Sequence, residues 1–147
     1  MTATAHAIIG GAIAASISDP AIGLPLATLS HPLMDMIPHW DFGLGWRKKT
    51  KTTLFLQGSI DLLVGIMIAF LLFAKTTDNL YLVSAIFLSE VWDLLQAPYW
   101  LLDWKFPPFS TLYNFQHAIN GKAKLPWGIL TQAATVAGVA IFLRIIH

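Results

Sequence analysis

The sequence predicts an all-α protein embedded in a membrane, a helical bundle of about five helices in which the first two are short. Hydrophobic residues make up 56% of the 147 residues and charged residues only 12%, whereas soluble domains carry about 25% charged residues. Three apolar segments are each long enough to cross the roughly 30 Å hydrocarbon core of a bilayer. A chain of this length is expected to form a single membrane-embedded domain, residues 1–147.

The first short segment covers residues 5–18, a run of small apolar residues. As a helix it would be about 21 Å long, which is less than a full crossing. Asp19 and Pro20 interrupt the run, and residues 21–36 follow as a second apolar arm. The pattern therefore predicts two short helices, with small residues in the first that let another helix approach closely.

The three long segments follow in order and are separated by loops of different character. The loop at 42–53 is polar and basic, the turn at 75–79 is short, and the loop at 103–124 is mixed. The predicted spans are residues 54–74, 80–102 and 125–146.

Lysine and arginine are concentrated in the two longer loops. Because cytoplasmic loops carry an excess of these residues, both loops are expected on the cytoplasmic side of the inner membrane. If both arms of the first hairpin cross the membrane, the N-terminus is then cytoplasmic and the C-terminus lies outside, as in a multi-pass inner-membrane protein. The residues are Arg47, Lys48, Lys49 and Lys51 in the first loop, and Lys105, Lys122 and Lys124 in the second.

A cluster of histidines and carboxylates ends the second short segment. His31 and Asp35 are four residues apart and share one face of a helix. Pro38 disfavours helix at the residue before it, so His39 and Asp41 are expected on the loop that follows. Imidazole nitrogen and carboxylate oxygen together form a ligand set for a divalent metal ion such as zinc.

Ionisable side chains also occupy the apolar segments, where each costs at least about 2.5–3.5 kcal/mol on insertion scales. In the predicted topology Asp61 lies roughly 10 Å deep and Asp93 roughly 13 Å deep from the cytoplasmic side, with Glu90 one turn deeper. His6 lies near that same side. We therefore expect these groups and the His31–Asp35 pair to converge on one site in the cytoplasmic half of the bilayer.

Crowded carboxylates repel one another at neutral pH unless they are protonated or bound to a cation. One or two divalent ions, with zinc expected, would neutralise them with the help of neutral histidines. The chain has no cysteine, so thiolate ligands are excluded. The predicted ligands are His6, His31, Asp35, Asp61, Asp93 and, from the second basic loop, His117.

Simpler roles stay open for each of these residues. His31 and Asp35 could be a hydrogen-bonded pair, and Asp61 could be a neutral acid bonded to a neighbour. Glu90 and Asp93 could face a lumen or a partner, and the loop residues could be solvated. The loop residues in question are His39, Asp41 and His117.

The segment around His6 and the stretch 30–41 resemble the YdjM-type group of small bacterial and archaeal integral membrane proteins, which are regarded as metal-dependent hydrolases. That group typically opens with a histidine at the start of a Gly/Ala-rich apolar segment and closes the second segment with an Asp/His cluster. The resemblance covers mainly residues 1–41, and the group's later Gly-His-Arg-Gly and Thr-His-Ser motifs are absent here. It implies a membrane-bound hydrolytic site that contains metal.

On this interpretation the protein hydrolyses a lipid or a lipid-linked phosphate or ester near the cytoplasmic leaflet. Glu90 or Asp41 would be the general base that takes a proton from water. His39 or His117 would orient or protonate the leaving group, and the lysines of the first basic loop would attract an anionic head group.

Two alternatives use the same residues. The Asp/Glu/His cluster could serve a cation or proton transporter or channel subunit, in which a small homo-oligomer could complete a path. The metal could also simply join helices, in which case its coordination is closed, whereas a hydrolase keeps an open position. The expected partners are the bilayer and an anionic lipid substrate; without a basic patch interleaved with aromatics, no nucleic-acid partner is expected.

Overall fold

The computed structural model describes residues 1–146, and the fold in this range is all-α, as predicted. Within these residues there are six α-helices, one short 3₁₀ helix at Trp46–Lys48, and no β-strand beyond a single isolated bridge. The α-helices are α1 (Ala3–Ser16), α2 (Pro20–Asp35), α3 (Lys51–Phe73), α4 (Asn79–Leu101), α5 (Phe109–Ile119) and α6 (Trp127–Ile146).

Helix α1 lies at the centre of the bundle, where it packs mainly against α3 and α4 and also contacts α2 and α6. Small residues make this arrangement possible. A Cβ atom added at Gly10 would lie 2.8 Å from the carbonyl oxygen of Ala85 in α4, and one at Gly65 in α3 would lie 2.6 Å from Thr4 Cα. Because the backbones approach so closely, polar groups at the start of α1 are brought beside side chains of both neighbouring helices.

The two short helices begin at residues that cap them. Thr2 Oγ1 accepts a hydrogen bond from the N–H of Ala5 at 3.3 Å, and Asp19 Oδ1 accepts one from Ala21 at 2.9 Å. Pro20 follows at the first position of α2. A backbone N–H at that position has no partner within the helix, so the missing N–H of proline costs no hydrogen bond. The break predicted at Asp19 and Pro20 is therefore confirmed.

The region 103–124 differs from the predicted loop because it contains α5. This helix packs against α4, with the rings of Tyr113 and Tyr99 stacked at a centroid distance of 4.0 Å. Gln116 of α5 also contacts Gln96 of α4. The helix is short and amphipathic rather than uniformly apolar, so the presence of long apolar segments does not predict it. It raises the helix count from about five to six within residues 1–146.

Helices α3, α4 and α6 are long and apolar enough to cross a membrane. Their outer faces carry large exposed apolar side chains, such as Leu63 and Leu71 on α3 and Phe142 and Ile145 on α6. Soluble monomers rarely expose contiguous apolar surface of this kind.

The loop after α2 is anchored to the loop that precedes α6. The N–H of His39 donates to the carbonyl of Gly121 at 3.1 Å, and the N–H of Ala123 donates to the carbonyl of His39 at 2.8 Å. The N–H of Gly121 also donates to the carbonyl of Asp35 at 2.7 Å. These bonds hold residues 35–39 in a defined conformation beside the helical bundle.

Candidate metal centre

Two stacked histidines lie at the centre of the site. His6 is in the first turn of α1 and His31 is near the end of α2. Their ring centroids are 3.7 Å apart, the angle between the ring planes is 11°, and both side chains are fully buried. The packing of α1 on α2 thus brings together two imidazoles that are distant in sequence.

Asp35, the last residue of α2, lies against both rings. Its Oδ1 atom is 3.2 Å from His6 Nε2, and its Oδ2 atom is 3.4 Å from His31 Nε2. One ligand atom from each of the three residues lies within 4.8 Å of the others, and all three side chains are buried. The amino nitrogen of Met1 also contacts Asp35 Oδ1. The group of His6, His31 and Asp35 could hold a metal ion.

The orientation of His31 is set by α4. Its Nδ1 atom donates to the backbone carbonyl of Ser89 at 2.6 Å. In a neutral imidazole this bond leaves Nε2 without a hydrogen, so a lone pair faces Asp35. Within residues 1–146, His31 Nε2 has no hydrogen-bond partner. Metal-binding histidines are commonly held in this way, with one nitrogen bonded to a carbonyl and the other free to bind the ion.

His39 repeats this arrangement from the loop after α2. Its Nδ1 donates to the carbonyl of Ile37 at 2.8 Å. Its Nε2 lies 3.3 Å from Asp41 Oδ2 and 3.7 Å from Asp35 Oδ1. His39 lies outside the helices, as the proline pattern predicted, yet its side chain is 0% exposed. The solvated alternative for His39 therefore does not apply.

Asp93 reaches the group from α4. Its Oδ1 atom is 3.5 Å from His31 Nε2, and it accepts a hydrogen bond from Gln96 Nε2 at 2.8 Å. Gln96 also contacts Gln116 of α5. The two glutamines thereby connect the orientation of the Asp93 carboxylate to the packing of α5 on α4.

Glu90 lies one turn before Asp93 and is only 3% exposed. Its Oε1 atom is buried and makes no hydrogen bond to any residue that the structure describes. The side chain lines the same cavity as Asp35 and Asp93. A carboxylate with a free oxygen beside a cavity is placed to exchange a proton with a bound molecule.

Asp61 lines this cavity, but its carboxylate oxygens accept hydrogen bonds from the start of α1. Asp61 Oδ2 accepts from the N–H of Ala3 at 2.7 Å, and Oδ1 accepts from the N–H and the hydroxyl of Thr4 at 3.2 and 2.7 Å. These are the free N–H groups of the first turn of a helix, and a carboxylate there stabilises the helix end. The structure therefore places Asp61 in a capping position rather than against the histidines.

His117 lies on the cavity wall at the end of α5 and is exposed. Its ring stacks on Tyr113 at a centroid distance of 5.5 Å, and its Nδ1 is 3.4 Å from Lys122 Nζ. Partial burial and, secondarily, the charges of Lys122 and Arg47 lower the pKa of His117 below its ordinary value. Its surroundings are basic, unlike those of the buried histidines.

The cavity beside the group has a volume of about 590 Å³. The structure brings five of the predicted acidic residues to its wall, and exposed basic residues and apolar side chains complete the lining. The acids are Asp35, Asp41, Asp61, Glu90 and Asp93; the basic residues are Arg47, Lys48 and Lys122; the apolar part includes Trp46, Leu54, Phe55 and Leu94.

Several groups that shape the site were not identified from the sequence. The carbonyls of Ser89 and Ile37, which orient His31 and His39, are backbone atoms and carry no residue-type signal. Gln96 could have been found, because it follows Asp93 by one helical turn and can reach its carboxylate.

No protein-family model, curated protein or solved structure matches this chain.

Proposed function

We propose that this protein is a multi-pass protein of the inner membrane that uses bound zinc to hydrolyse a lipid or a lipid-linked phosphate or ester near the cytoplasmic leaflet. The observation that supports this most strongly is the hydrogen bonding and orientation of two histidine rings. His31 and His39 each donate Nδ1–H to a backbone carbonyl and turn Nε2 toward carboxylates beside a cavity. Nitrogen lone pairs aimed at carboxylate oxygens are an arrangement that a cation stabilises.

In this proposal His6, His31 and Asp35 hold the metal ion, and Asp93 is a further oxygen ligand next to His31. Two imidazoles and a carboxylate are a ligand set typical of catalytic zinc, which keeps a position open for water or substrate. An ion bound there would polarise a phosphate or ester oxygen and lower the pKa of a water molecule.

Glu90 is the general base of the proposed reaction. Glu90 lines the cavity, and its buried Oε1 makes no hydrogen bond to any residue that the structure describes. It takes a proton from water as the water oxygen bonds to phosphorus or to the ester carbon. It then returns that proton to the leaving oxygen as the old ester bond breaks. Asp41, the other predicted base, instead faces His39 and accepts a hydrogen bond from Leu44 N–H at 2.9 Å.

The lining of the cavity supports an amphiphilic anionic substrate. Arg47, Lys48 and Lys122 supply positive charge, and apolar side chains form much of the remaining wall. The arginine and lysines belong to the loops that the positive-inside rule assigns to the cytoplasm. A lipid head group that enters from the cytoplasmic leaflet would meet these charges before the acidic group.

The proposal is tested by zinc analysis and hydrolysis assays on the detergent-purified protein. We expect the wild type to bind zinc and to hydrolyse p-nitrophenyl phosphate or p-nitrophenyl acetate. His31→Ala and Asp35→Ala should lose zinc. Glu90→Gln should keep zinc but lose about 10²-fold or more in rate, since a general base contributes roughly 10²–10⁴.

Asp103→Asn is the matched control, because Asp103 is an exposed carboxylate paired with Lys51 and Lys105 on the loop after α4. It should change neither zinc content nor rate. A wild-type protein without zinc would contradict the proposal. Zinc-dependent cation or proton flux in liposomes, with no hydrolysis, would instead favour the alternative of a transporter.

A further inference from the structure

The contacts of Asp35 divide the site into two groups that share this one carboxylate. Asp35 Oδ2 is 3.4 Å from His31 Nε2, which also lies 3.5 Å from Asp93 Oδ1. Asp35 Oδ1 is 3.7 Å from His39 Nε2, which also lies 3.3 Å from Asp41 Oδ2. Apart from His6, whose Nε2 is 3.2 Å from Asp35 Oδ1, each group contains one imidazole nitrogen and two carboxylates, and the two groups use different oxygens of Asp35.

When the histidines are neutral, every one of these contacts joins two atoms that accept hydrogen bonds. Ionised carboxylates only accept, and a neutral imidazole that donates from Nδ1 has only a lone pair at Nε2. Across the described residues, neither His31 Nε2 nor His39 Nε2 finds a hydrogen-bond partner. The amino nitrogen of Met1 contacts Asp35 Oδ1, and this contact gives neither His31 Nε2 nor His39 Nε2 a hydrogen-bond partner. His31 Nε2 and His39 Nε2 then each lack a positive charge between themselves and the carboxylates, whereas Asp35 Oδ1 already has the amino group of Met1 beside it.

We infer that the site holds two divalent cations bridged by Asp35, the second of them bound by His39 and Asp41, and that its substrate is a phosphate ester. This inference rests on the proposed function and specifies the number of ions and the substrate class. The first ion is the one held by His31 and Asp35, with Asp93 beside it.

The fold also orients the residues of the second group. The backbone of His39 is bonded on both sides, to Gly121 and Ala123, at 3.1 and 2.8 Å. Asp41 Oδ1 accepts the N–H of Leu44 at 2.9 Å, and this bond leaves Oδ2 directed toward His39. Both ligands are therefore oriented by bonds that do not involve the ion.

His6 borders both groups, since its Nε2 is 3.2 Å from Asp35 Oδ1 while its ring stacks on His31. Substitutions of His6 would disturb both ions and cannot separate them. His39 and Asp41 belong to the second group alone, and for this reason they are the residues to change.

Two cations in one site favour a phosphate ester as the substrate. Two metal ions held by a shared carboxylate stabilise both the attacking and the leaving oxygen of an in-line displacement, which is the arrangement of many phosphatases and nucleases. The water oxygen bonds to phosphorus, the bond from phosphorus to the alcohol oxygen breaks, and the alcohol leaves with the proton that Glu90 took from water. Arg47, Lys48 and Lys122 on the cavity wall suit a phosphate group.

The test counts zinc ions per chain in detergent-purified protein loaded with zinc and washed free of excess. We expect two in the wild type, one in His39→Ala and in Asp41→Ala, and none in Asp35→Ala. His117→Ala should retain two, because His117 lies on the same cavity but outside both groups. Circular dichroism and gel filtration establish that each variant is folded.

Electron paramagnetic resonance of manganese-loaded protein supplies a second measurement that does not depend on activity. The wild type should give the spectrum of a coupled manganese pair, and His39→Ala should give the six-line spectrum of an isolated ion. We also expect hydrolysis of p-nitrophenyl phosphate in preference to p-nitrophenyl acetate.

The outcomes separate this inference from the function on which it rests. One zinc per wild-type chain, or unchanged zinc content in His39→Ala and Asp41→Ala, overturns the two-ion site and leaves a single-metal hydrolase. Cleavage of the acetate ester alone overturns the substrate class. A wild type that binds no zinc overturns the proposed function itself.

Discussion

Asp61 and Asp35 are both carboxylates that line one cavity, yet their surroundings give them different roles. Asp61 accepts hydrogen bonds from two backbone N–H groups and a hydroxyl at the start of α1. Asp35 faces the Nε2 atoms of His6 and His31. The depth of a residue in its helix predicts that both lie near one site. Only the donors and acceptors around each oxygen distinguish a helix cap from a metal ligand.

We predict that Asp61→Ala destabilises the protein by about 1–3 kcal/mol, because partly buried N–H groups at the start of α1 lose their acceptor. Zinc content at saturating zinc should be unchanged. Thermal unfolding in detergent and zinc analysis of the same sample measure the two effects. Loss of zinc without loss of stability would mean that Asp61 is a ligand after all. Asp103→Asn, at an exposed carboxylate, should alter neither quantity.

His39 shows how a loop residue becomes part of a buried site. Pro38 correctly predicted that this residue follows the helix, and a loop residue is usually solvated. The bonds from His39 to Gly121 and Ala123 bury it against the bundle. The residues that bury His39 come from the far end of the chain, so no pattern near His39 could have indicated its burial.

Helix α4 is the element on which the site depends most. Its backbone orients His31 through the carbonyl of Ser89, and its side chains Glu90 and Asp93 face the cavity. Its contact with α1 is close because Gly10 lets the carbonyl of Ala85 approach. Any change that separates α1 from α4 would therefore move His6 relative to the groups on α4.

Two glycines of α3 provide a matched test of close helix packing. We predict that Gly65→Ala destabilises the protein by about 1–3 kcal/mol, because the new methyl group would lie 2.6 Å from Thr4 Cα in α1. Chemical unfolding in detergent measures the change.

Gly58→Ala is the control on the same helix, since a Cβ there meets no atom of residues 1–146 within 4 Å. It should leave stability unchanged or raise it by up to about 1 kcal/mol through helix propensity. Equal effects of the two substitutions would show that α1 does not pack against α3 as described.

The whole molecule combines a short buried hairpin with three long apolar helices. Helix α1 is buried on most sides, whereas α3 and α6 expose large apolar side chains outward. An apolar exterior around a polar, acidic interior is the distribution expected of a protein in a bilayer. The ionisable groups of the site face one another and a cavity instead of the apolar outer surface.

We predict that both basic loops face the cytoplasm. The chain has no cysteine, so single cysteines report on topology without background. Lys75→Cys, in the turn between α3 and α4, should react with a membrane-impermeant maleimide in intact cells. Lys124→Cys, in the loop before α6, should react only after the cells are permeabilised. The reverse pattern would contradict the orientation, and equal labelling in intact cells would contradict a crossing by α4, the membrane-length helix between the two positions.

Composition, breakers and the length of apolar runs were sufficient to predict the helical class, the short hairpin with its break at Asp19 and Pro20, and the three long helices. These features depend on residues that are close together in the chain, where hydrophobicity and backbone preference act locally. Helix α5 was missed because its amphipathic face gains stability only from its packing on α4.

The residue types and spacing of His31, Asp35, His39 and Asp41 were enough to suggest a metal site, because few other side chains bind divalent ions. They could not show which oxygen of Asp35 faces which histidine, that Ser89 orients His31, or that Asp61 caps α1. Those relations require segments far apart in sequence to come within hydrogen-bonding distance. Packing of the small residues of α1 against α3 and α4 brings several of them together. The small residues predicted a close helix contact but not which helices make it.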